Sequence, residues 1–205
     1  MVATDDRRIY DCVSGFDGRA VMTSKKHRSG TDRIAEALTK IETRSLKFGT
    51  IVNIQGDEPL IDPKAIDLLA KVMLEDKNLE MATLVGGFKD KEELLSPNTA
   101  KVVADDRGSA LYFSRAVIPY SRESDLKILT FLKHIGIYAY RRETLFKLIS
   151  RPQSALEKIE KLEQLRAVEC GVKIRLIKTS YHPLAVDTPA DLAQINKVLM
   201  GQSFA

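Results

Sequence analysis

An acidic pair that directly follows an apolar run is the strongest chemical feature of this sequence. Asp57 and Glu58 come after Gly56, at the end of the run T-I-V-N-I-Q at residues 50–55. Glycine permits a tight turn and a close backbone approach there. A carboxylate held after a buried strand can bind a hard cation such as Mg²⁺, which prefers oxygen ligands and accompanies phosphates. The residues alone fit this site and an ordinary turn rich in Asp and Gly equally well.

Two other segments combine a helix start with groups that suit a nucleotide. Ser29 and Asp32 fit a capping box, and the N–H groups of that helix start, together with Arg33, could bind phosphates. Asp187 stands just before a second predicted cap at residues 188–191, where the helix dipole favours an acidic side chain. Taken alone, both segments are better explained as helix caps than as binding sites.

Other catalytic constellations find no support in the sequence. The three histidines and two cysteines have neither nucleophile-triad nor metal-ligand spacing. A metal hydrolase is excluded by the same lack of histidine spacing.

The elements that must position these residues alternate between strand-like and helix-like runs. Strands are predicted at 50–55, 81–85, 134–140 and 172–177, and helices at 65–74, 143–150, 155–170 and from 189 to about 200. This alternation predicts an α/β fold with a largely parallel sheet. The runs 101–104 and 110–113 flank a turn at 106–108 and predict an antiparallel pair. Because open parallel sheets bind ligands at the carboxyl ends of their strands, we expect the functional residues there.

The longest predicted helix covers residues 155–170 and ends at Gly171, a plausible C-cap. Five apolar residues at intervals of three predict one buried face for it: Leu156, Ile159, Leu162, Leu165 and Val168. Glu163 and Gln164, read in this helix alone, could be solvent-facing.

Composition limits the class of protein. The chain has 205 residues, 44% hydrophobic and 29% charged, which suits one globular domain with a full core. No apolar run approaches the roughly 18 residues of a membrane helix, and two distant cysteines favour a reducing, cytosolic setting. The net charge of +4 suits anionic ligands. A nucleic-acid binder is disfavoured because the basic cluster at residues 25–28 has no interleaved aromatic residues.

As a string, N-I-Q-G-D-E-P at residues 53–59 is more specific than an acidic turn. It resembles the signature of bacterial CMP-Kdo synthetases, the cytidylyltransferases that join CMP to the acid sugar 3-deoxy-manno-octulosonate (Kdo). Further matches follow the family's order, at residues 29–33, 111–115 with 118–119, 134–141, 162–166 and 186–192. The resemblance covers residues 2 to about 199. The related sialic acid cytidylyltransferases share the fold and reaction type, but their motifs fit less well.

This resemblance implies a Rossmann-like nucleotidyltransferase and a role for each matching residue. Asp57 and Asp187 would be catalytic and would hold Mg²⁺. Nucleotide binding would fall to Asp57 and to Ser29, Gly30, Thr31 and Arg33. Sugar binding would fall to Gln55, Arg115, His134, Tyr138, Glu163 and Gln164, with Arg122 a weaker match. CTP and Kdo would be the substrates and pyrophosphate a product, in a cytoplasmic step toward lipopolysaccharide with neither a nucleic-acid nor a membrane partner.

The resemblance also implies a homodimer, and the antiparallel insertion at residues 101–122 is the candidate interface. One feature of the family has no match: the opening strand with its phosphate-binding loop, P-A-R-x-x-S-x-R-x-P-x-K. We therefore expect a single domain over residues 1–205 that is incomplete at its N-terminus. Whether the chain is active without the N-terminal loop stays open. The alternatives are a related acceptor sugar, 8-amino-Kdo or sialic acid, or an inactive nucleotide-binding fragment.

Overall fold

Helices and strands alternate along the chain, as the sequence predicted. A computed structural model describes residues 1–27, 29–122, 128–186 and 188–201. The strands are β1 (Val2–Thr4), β2 (Ala20–Met22), β3 (Thr50–Asn53), β4 (Met81–Gly86), β5 (Lys101–Ala104), β6 (Ala110–Ser114), β7 (Leu132–Arg141) and β8 (Ile174–Lys178). The helices are α1 (Arg7–Gly15), α2 (Gly30–Ile41), α3 (Pro63–Glu75), α4 (Lys91–Leu95), α5 (Arg142–Ile149), α6 (Ala155–Glu160), α7 (Gln164–Glu169) and α8 (Pro189–Leu199), with a 3-10 turn at Ile128–Thr130.

Strand β7 is the centre of a six-stranded sheet. It pairs antiparallel with β4, β3 and β5, while β4 also pairs parallel with β8, and β5 pairs antiparallel with β6. Strands β3, β4, β5 and β8 therefore point one way, and β6 and β7 point the other way. The predicted α/β class with mostly parallel strands is confirmed, because four of the six strands point the same way. Most neighbouring pairs are nevertheless antiparallel, because β7 runs against its three partners. Strands β1 and β2 form a separate parallel pair.

The predicted antiparallel pair at the start of the insertion is present as β5 and β6. Lys101 pairs with Ser114 and Val103 with Tyr112, and the intervening turn uses Gly108 at φ 76°. Glycine accepts this left-handed conformation without a Cβ clash. Because β5 also pairs with β7, the insertion extends the main sheet rather than standing apart from it.

A β-bulge interrupts the pairing of β4 with β7. Thr83 lies opposite Tyr138, but its neighbour Leu84 lies opposite Ile135, so residues 136 and 137 of β7 are extra. Bulges bend a strand locally and re-aim its side chains, and they are frequent beside active sites. This one separates His134 from Tyr138 along the strand.

Both faces of the sheet are covered by helices. All six residues of β4 are buried, which is typical of a strand packed on both sides. Val85 and Phe113 belong to one apolar cluster, which also includes residues of α2, α5 and α7. The other cluster joins Leu84 and Ile137 to the α3 residue Leu69. None of the described helices is both long and apolar enough to cross a bilayer.

The prediction of one helix over residues 155–170 is wrong. Helix α6 ends with Lys161 in the left-handed conformation at φ 54°, and α7 begins at Gln164. The predicted common face fails as well, because the Ile159 side chain is 78% exposed while Leu165 is fully buried. The physical reason is that steps of three residues drift by about 60° each around a helix of 3.6 residues per turn. Only a break in the helix lets both ends of this series face the core.

Candidate active site

The turn after β3 separates the two acidic residues of the motif. Asp57 is exposed, and its backbone carbonyl accepts a hydrogen bond of 2.8 Å from the Val186 N–H. Glu58 is buried, and the Tyr181 hydroxyl donates to its Oε2 at 3.3 Å. Burial raises the pKa of Glu58, and the hydrogen bond from Tyr181 partly offsets that rise. Asp57 is thus available to a ligand, whereas Glu58 fixes the turn.

The segment 179–186 runs along this turn and joins it to the start of α8. The Thr179 N–H donates to the Val85 carbonyl at 2.9 Å, at the end of β4. Together with the contacts of Tyr181 and Val186, this bond holds the segment against the ends of two strands. Asp187 follows Val186 directly but lies outside the described residues. The predicted capping box of α8 is confirmed, because the Thr188 and Asp191 side chains each cap the other's backbone N–H.

Helix α2 begins at the predicted cap. The Ser29 hydroxyl accepts from the Asp32 N–H at 3.2 Å and donates to the Asp32 carboxylate at 3.0 Å. Gly30 is exposed, and a Cβ built there would meet no atom within 4 Å, so there is free space beside this residue. Thr31, in contrast, is buried. The open N–H groups and the positive end of the helix dipole suit an anion.

Arg33 is held by groups at the ends of the two-stranded sheet. Its guanidinium donates to the Thr23 hydroxyl at 2.6 Å and to the Asp5 carboxylate at 3.0 Å. The hydrogen bond from Arg33 lowers the pKa of Asp5. Arg33 therefore joins α2 to this sheet, and its role toward the nucleotide stays a prediction.

Six side chains from four parts of the chain form a polar cluster behind the start of α2. The Tyr138 hydroxyl donates to Gln164 Oε1 at 3.0 Å, and the other members are Thr31, Asn53, Tyr140 and Glu163. Burial raises the pKa of Tyr140, and the side chains of Thr31 and Asn53 act in the opposite direction. A narrow cavity is lined by five of the six, all except Asn53. The predicted sugar residues Tyr138, Glu163 and Gln164 thus meet the predicted nucleotide residue Thr31.

Two atoms of the polar cluster lack a hydrogen-bond partner, although one of them, Glu163 Oε1, lies 3.7 Å from Arg166 Nη2. Glu163 Oε1 and Gln164 Nε2 are buried and accept or donate no hydrogen bond within the described part of the chain. Burial raises the pKa of Glu163, although the hydroxyls of Ser29 and Thr31 and the charge of Arg166 act in the opposite direction. A buried polar group without a partner destabilises the protein by about 1 to 3 kcal/mol. A ligand hydroxyl that paired with these atoms would remove that penalty.

His134 lies next to the polar cluster on β7. Its Nε2 is 3.0 Å from the Thr83 hydroxyl, and its ring contacts Phe113 edge-on, with ring centroids 5.0 Å apart. The Tyr138 ring lies on another side, at 5.4 Å. Desolvation lowers the pKa of His134 to about 3, so the imidazole is neutral at physiological pH.

Arg115 is bound to backbone carbonyls at the junction of three segments. Its guanidinium donates to the carbonyls of Glu160 at 2.8 Å, Pro97 at 2.8 Å and Lys161 at 3.3 Å. These bonds hold the turn between α6 and α7, which leads into Glu163. Gln55 is partly buried, and its carbonyl accepts from the Glu58 N–H at 3.4 Å. Arg122 is exposed at the end of a described segment.

A family model described as Cytidylyltransferase matches residues 1–174. The chain belongs to this family. A 3-deoxy-manno-octulosonate cytidylyltransferase of Syntrophus aciditrophicus (strain SB) is 45% identical over 202 residues, covering 98% of this chain and 80% of that protein. The same enzyme of Fusobacterium nucleatum is 46% identical over 195 residues, covering 95% of this chain and 77% of the relative.

A solved structure supports the same family. It is described as CMP:2-keto-3-deoxy-manno-octonic acid synthetase complexed with CTP, and it superposes with a TM-score of 0.88 at 41% identity. The match covers 98% of this chain and 80% of that one. A 4-diphosphocytidyl-2C-methyl-D-erythritolsynthase from Anaerococcus prevotii shares only the fold, with a TM-score of 0.58 at 13% identity. The predicted Rossmann-like cytidylyltransferase is therefore confirmed.

Sequence reasoning missed several residues that build the site of this cytidylyltransferase. Tyr140 could have been found, because it continues the period-two alternation of His134 and Tyr138 along one strand. Thr83 and Tyr181 could not, since nothing in the chain indicates which buried hydroxyl will face a histidine or a glutamate. Within the described residues, no group of three or more His, Cys, Asp or Glu side chains could hold a metal ion.

Proposed function

We propose that this cytidylyltransferase transfers CMP from CTP to Kdo and releases pyrophosphate. The observation that supports it best is the polar cluster, where Glu163 Oε1 and Gln164 Nε2 are buried without hydrogen-bond partners beside the N-terminus of α2. A polyhydroxylated sugar supplies donors and acceptors for both atoms, and a nucleotide supplies the anion for the helix. The names of the relatives point to the same pair of substrates.

The nucleotide would bind at the start of α2. Backbone N–H groups at Gly30 and Thr31 have no intrahelical partners at a helix N-terminus, and a Cβ built at Gly30 would meet no atom within 4 Å. The Ser29 hydroxyl is occupied by Asp32. Ser29 therefore shapes the binding loop, while the helix end supplies the positive potential.

The sugar would bind between β7 and the turn that precedes α7. Tyr138, Glu163 and Gln164 offer a hydroxyl, a carboxylate and an amide in one cluster, which suits a row of sugar hydroxyls. His134 adds a neutral ring nitrogen. Of the remaining predicted sugar residues, Gln55 lies in the sequence between Asn53 of the polar cluster and Asp57. Arg115 holds the turn that carries Glu163.

Magnesium fits the donor set near Asp57. Mg²⁺ keeps several waters and takes one or two carboxylates together with substrate phosphates, so it needs no cage of protein ligands. Asp57 is an exposed carboxylate beside the segment that leads to Asp187, as its bond to Val186 shows. When bound, the ion would neutralise phosphate charge and orient the triphosphate. We propose Asp57 and Asp187 as its ligands.

The reaction then depends mainly on positioning. The anomeric hydroxyl of the sugar attacks the α-phosphorus of CTP and forms a new P–O bond, while its proton is lost to solvent and the bond to the leaving pyrophosphate breaks. Such transfers need alignment and charge neutralisation rather than a covalent intermediate with the protein. The polar cluster would orient the sugar, and the start of α2 would hold the nucleotide in line with it.

The test is pyrophosphate release from CTP and Mg²⁺, with and without Kdo. We expect release that depends on Kdo and stops when a chelator is added. Replacing Kdo by 8-amino-Kdo or a sialic acid tests the acceptor, and a higher kcat/KM with either would reassign it. CTP binding without release under every condition would instead support a nucleotide-binding fragment.

Asp57→Ala provides the matched variant. We expect the activity to fall by at least about 100-fold, the loss typical of one electrostatic group in a transfer site, while the melting temperature is unchanged because Asp57 is exposed. Asp67→Ala on the exposed side of α3 is the control and should retain full activity. Unchanged turnover of Asp57→Ala would remove this residue from the metal site.

We also propose that the chain acts as a homodimer in the cytoplasm, in a step toward lipopolysaccharide. The insertion at residues 101–122 presents exposed Leu111 and Tyr120, which are 57% and 86% exposed. Contact with a second copy of the chain would cover these two side chains. Light scattering of the chain and of a Leu111→Glu variant tests this assembly, and a monomeric wild type would refute it.

A further inference from the structure

Thr83 is buried in β4, at the bulge opposite β7, and its hydroxyl has three polar neighbours. The oxygen lies 2.8 Å from the Ile137 carbonyl, 3.1 Å from the Ile135 carbonyl and 3.0 Å from His134 Nε2. One carbonyl belongs to Ile137, an extra residue of β7, and the other to Ile135 just before the bulge, so the hydroxyl contacts the bulge from the neighbouring strand. Within the described part of the chain, no other side chain of β4 forms a hydrogen bond with His134.

The proton count at this hydroxyl fixes the direction of each bond. A threonine hydroxyl has one proton to donate and two lone pairs, and a carbonyl oxygen can only accept. If the proton pointed to His134, two pairs of oxygens would stand 2.8 and 3.1 Å apart with no proton between them. The proton must therefore point to the carbonyls, and His134 Nε2 must carry its own proton and donate it to Thr83.

The remaining ring nitrogen is then an acceptor. A neutral imidazole carries one proton, so a proton on Nε2 leaves a lone pair on Nδ1. The ring is neutral because desolvation lowers the pKa of His134. Phe113 and Tyr138 pack against two sides of the ring and restrict its rotation.

We propose that Thr83 is a positioning residue, which fixes His134 as the Nε2–H tautomer and so presents Nδ1 as the acceptor for a hydroxyl of the acid sugar. The sugar half of this inference rests on the proposed function. The tautomer half concerns the free protein and stands independently of it. The other tautomer would offer the sugar a donor in place of an acceptor, so the hydroxyl of Thr83 would set which hydrogen bond the substrate must make.

The first measurement is ¹⁵N NMR of the full chain labelled at histidine, without substrate. The chain has three histidines, and the variants His27→Gln and His182→Gln assign the resonances of His134 by elimination. We expect a protonated Nε2 and an unprotonated Nδ1 near neutral pH. A protonated Nδ1 would overturn the inference whatever the enzyme's activity.

The second measurement compares Thr83→Val, which removes the hydroxyl at nearly constant shape, with Thr83→Ser, which keeps it. We expect Thr83→Val to raise KM for Kdo by about tenfold, the effect of one hydrogen bond, with KM for CTP changed less than about twofold. Thr83→Ser should restore most of the KM for Kdo and the wild-type tautomer signal. Equal changes in both KM values, or a loss that serine does not rescue, would show that Thr83 only supports the strand and would overturn the positioning role.

These outcomes separate the inference from the proposed function. If the wild-type chain releases no pyrophosphate with Kdo, the proposed function and the sugar half fail together, while the NMR result still decides the tautomer. If the wild type is active and Thr83→Val keeps its KM for Kdo, only the positioning role fails.

Discussion

The buried ion pair between Glu157 and Arg166 gives the sharpest stability prediction. Arg166 Nε and Nη2 donate to the two Glu157 oxygens at 2.8 and 2.7 Å, and both side chains are only 5% exposed. Glu157→Gln keeps the size of the side chain, but its amide NH₂ group faces a guanidinium that can only donate. The variant leaves a buried cation without its counter-charge. The nearest remaining carboxylate oxygen, Glu163 Oε1, is 3.7 Å from Arg166 Nη2.

The expected loss follows from that burial. Removing one partner of a buried ion pair destabilises a protein by about 3 to 5 kcal/mol. For a domain of this size each kcal/mol shifts the melting temperature by roughly 2 to 4 °C, so the midpoint should fall by about 6 to 20 °C. Urea unfolding and scanning calorimetry measure the two quantities. Glu75→Gln is the control, because its pair with Lys71 is 3.7 Å long with side chains 65% and 70% exposed, and such pairs contribute at most about 1 kcal/mol.

The pH dependence supplies a second check on the same pair. Burial alone would raise the pKa of Glu157, but the hydrogen bonds from Arg166 and from the Ser154 N–H lower it below the ordinary value of 4.5. A group with a lowered folded pKa stabilises the fold above its unfolded pKa, and the contribution is lost as pH falls through the folded value. The difference between wild type and Glu157→Gln should therefore narrow below pH 4.5. A loss under about 1 kcal/mol at pH 7, or a difference independent of pH, would refute the reasoning.

Two further predictions test other buried charges. Hydrogen bonds from Arg142 lower the pKa of Glu42 from 4.5 to about 2. Glu42→Gln should therefore lower the urea midpoint at pH 7, and its stability should approach that of wild type as pH falls from 4.5 toward 2. A difference in stability that stays constant with pH would contradict this. Lys101 is fully buried, and its Nζ donates to three backbone carbonyls at 2.6, 2.7 and 2.9 Å. Lys101→Met should therefore destabilise the fold by about 1 to 3 kcal/mol, and a variant as stable as wild type would show that water replaces these bonds.

The sequence predicted most elements because their signals are local. The caps at Ser29 and Thr188, the Gly108 turn and the apolar run of β4 each depend on a few adjacent residues, and all are confirmed. The break at Lys161 could not be predicted, because lysine carries no signal for a left-handed conformation. The fold imposes it through long-range contacts, including the bond from Arg115 to the Lys161 carbonyl.

The same limit applies to the site. Resemblance identified Glu163 and Gln164 from a short string, yet a continuous helix would have left them open to solvent. The burial of Gln164 and of the Glu163 Oε1 atom depends on the break before α7 and on the polar residues of α2 and β7 that face them. The acidic pair after β3 shows the reverse case, since adjacent carboxylates look alike in sequence but differ in burial.

Arg115, a predicted sugar-binding residue, is bound to backbone carbonyls in this structure. Its guanidinium spans the carbonyls of Glu160 and Lys161, and its own carbonyl accepts from the buried Lys101. Arg115 thus supplies donors that the carbonyls of this turn need, and Lys101 in turn holds the backbone of Arg115. Loss of Arg115 would release this turn and misplace Glu163, and it would raise KM for the sugar even without any direct bond to it. Direct contact between Arg115 and the sugar carboxylate stays a prediction, and it would require the guanidinium to give up at least one of these carbonyls.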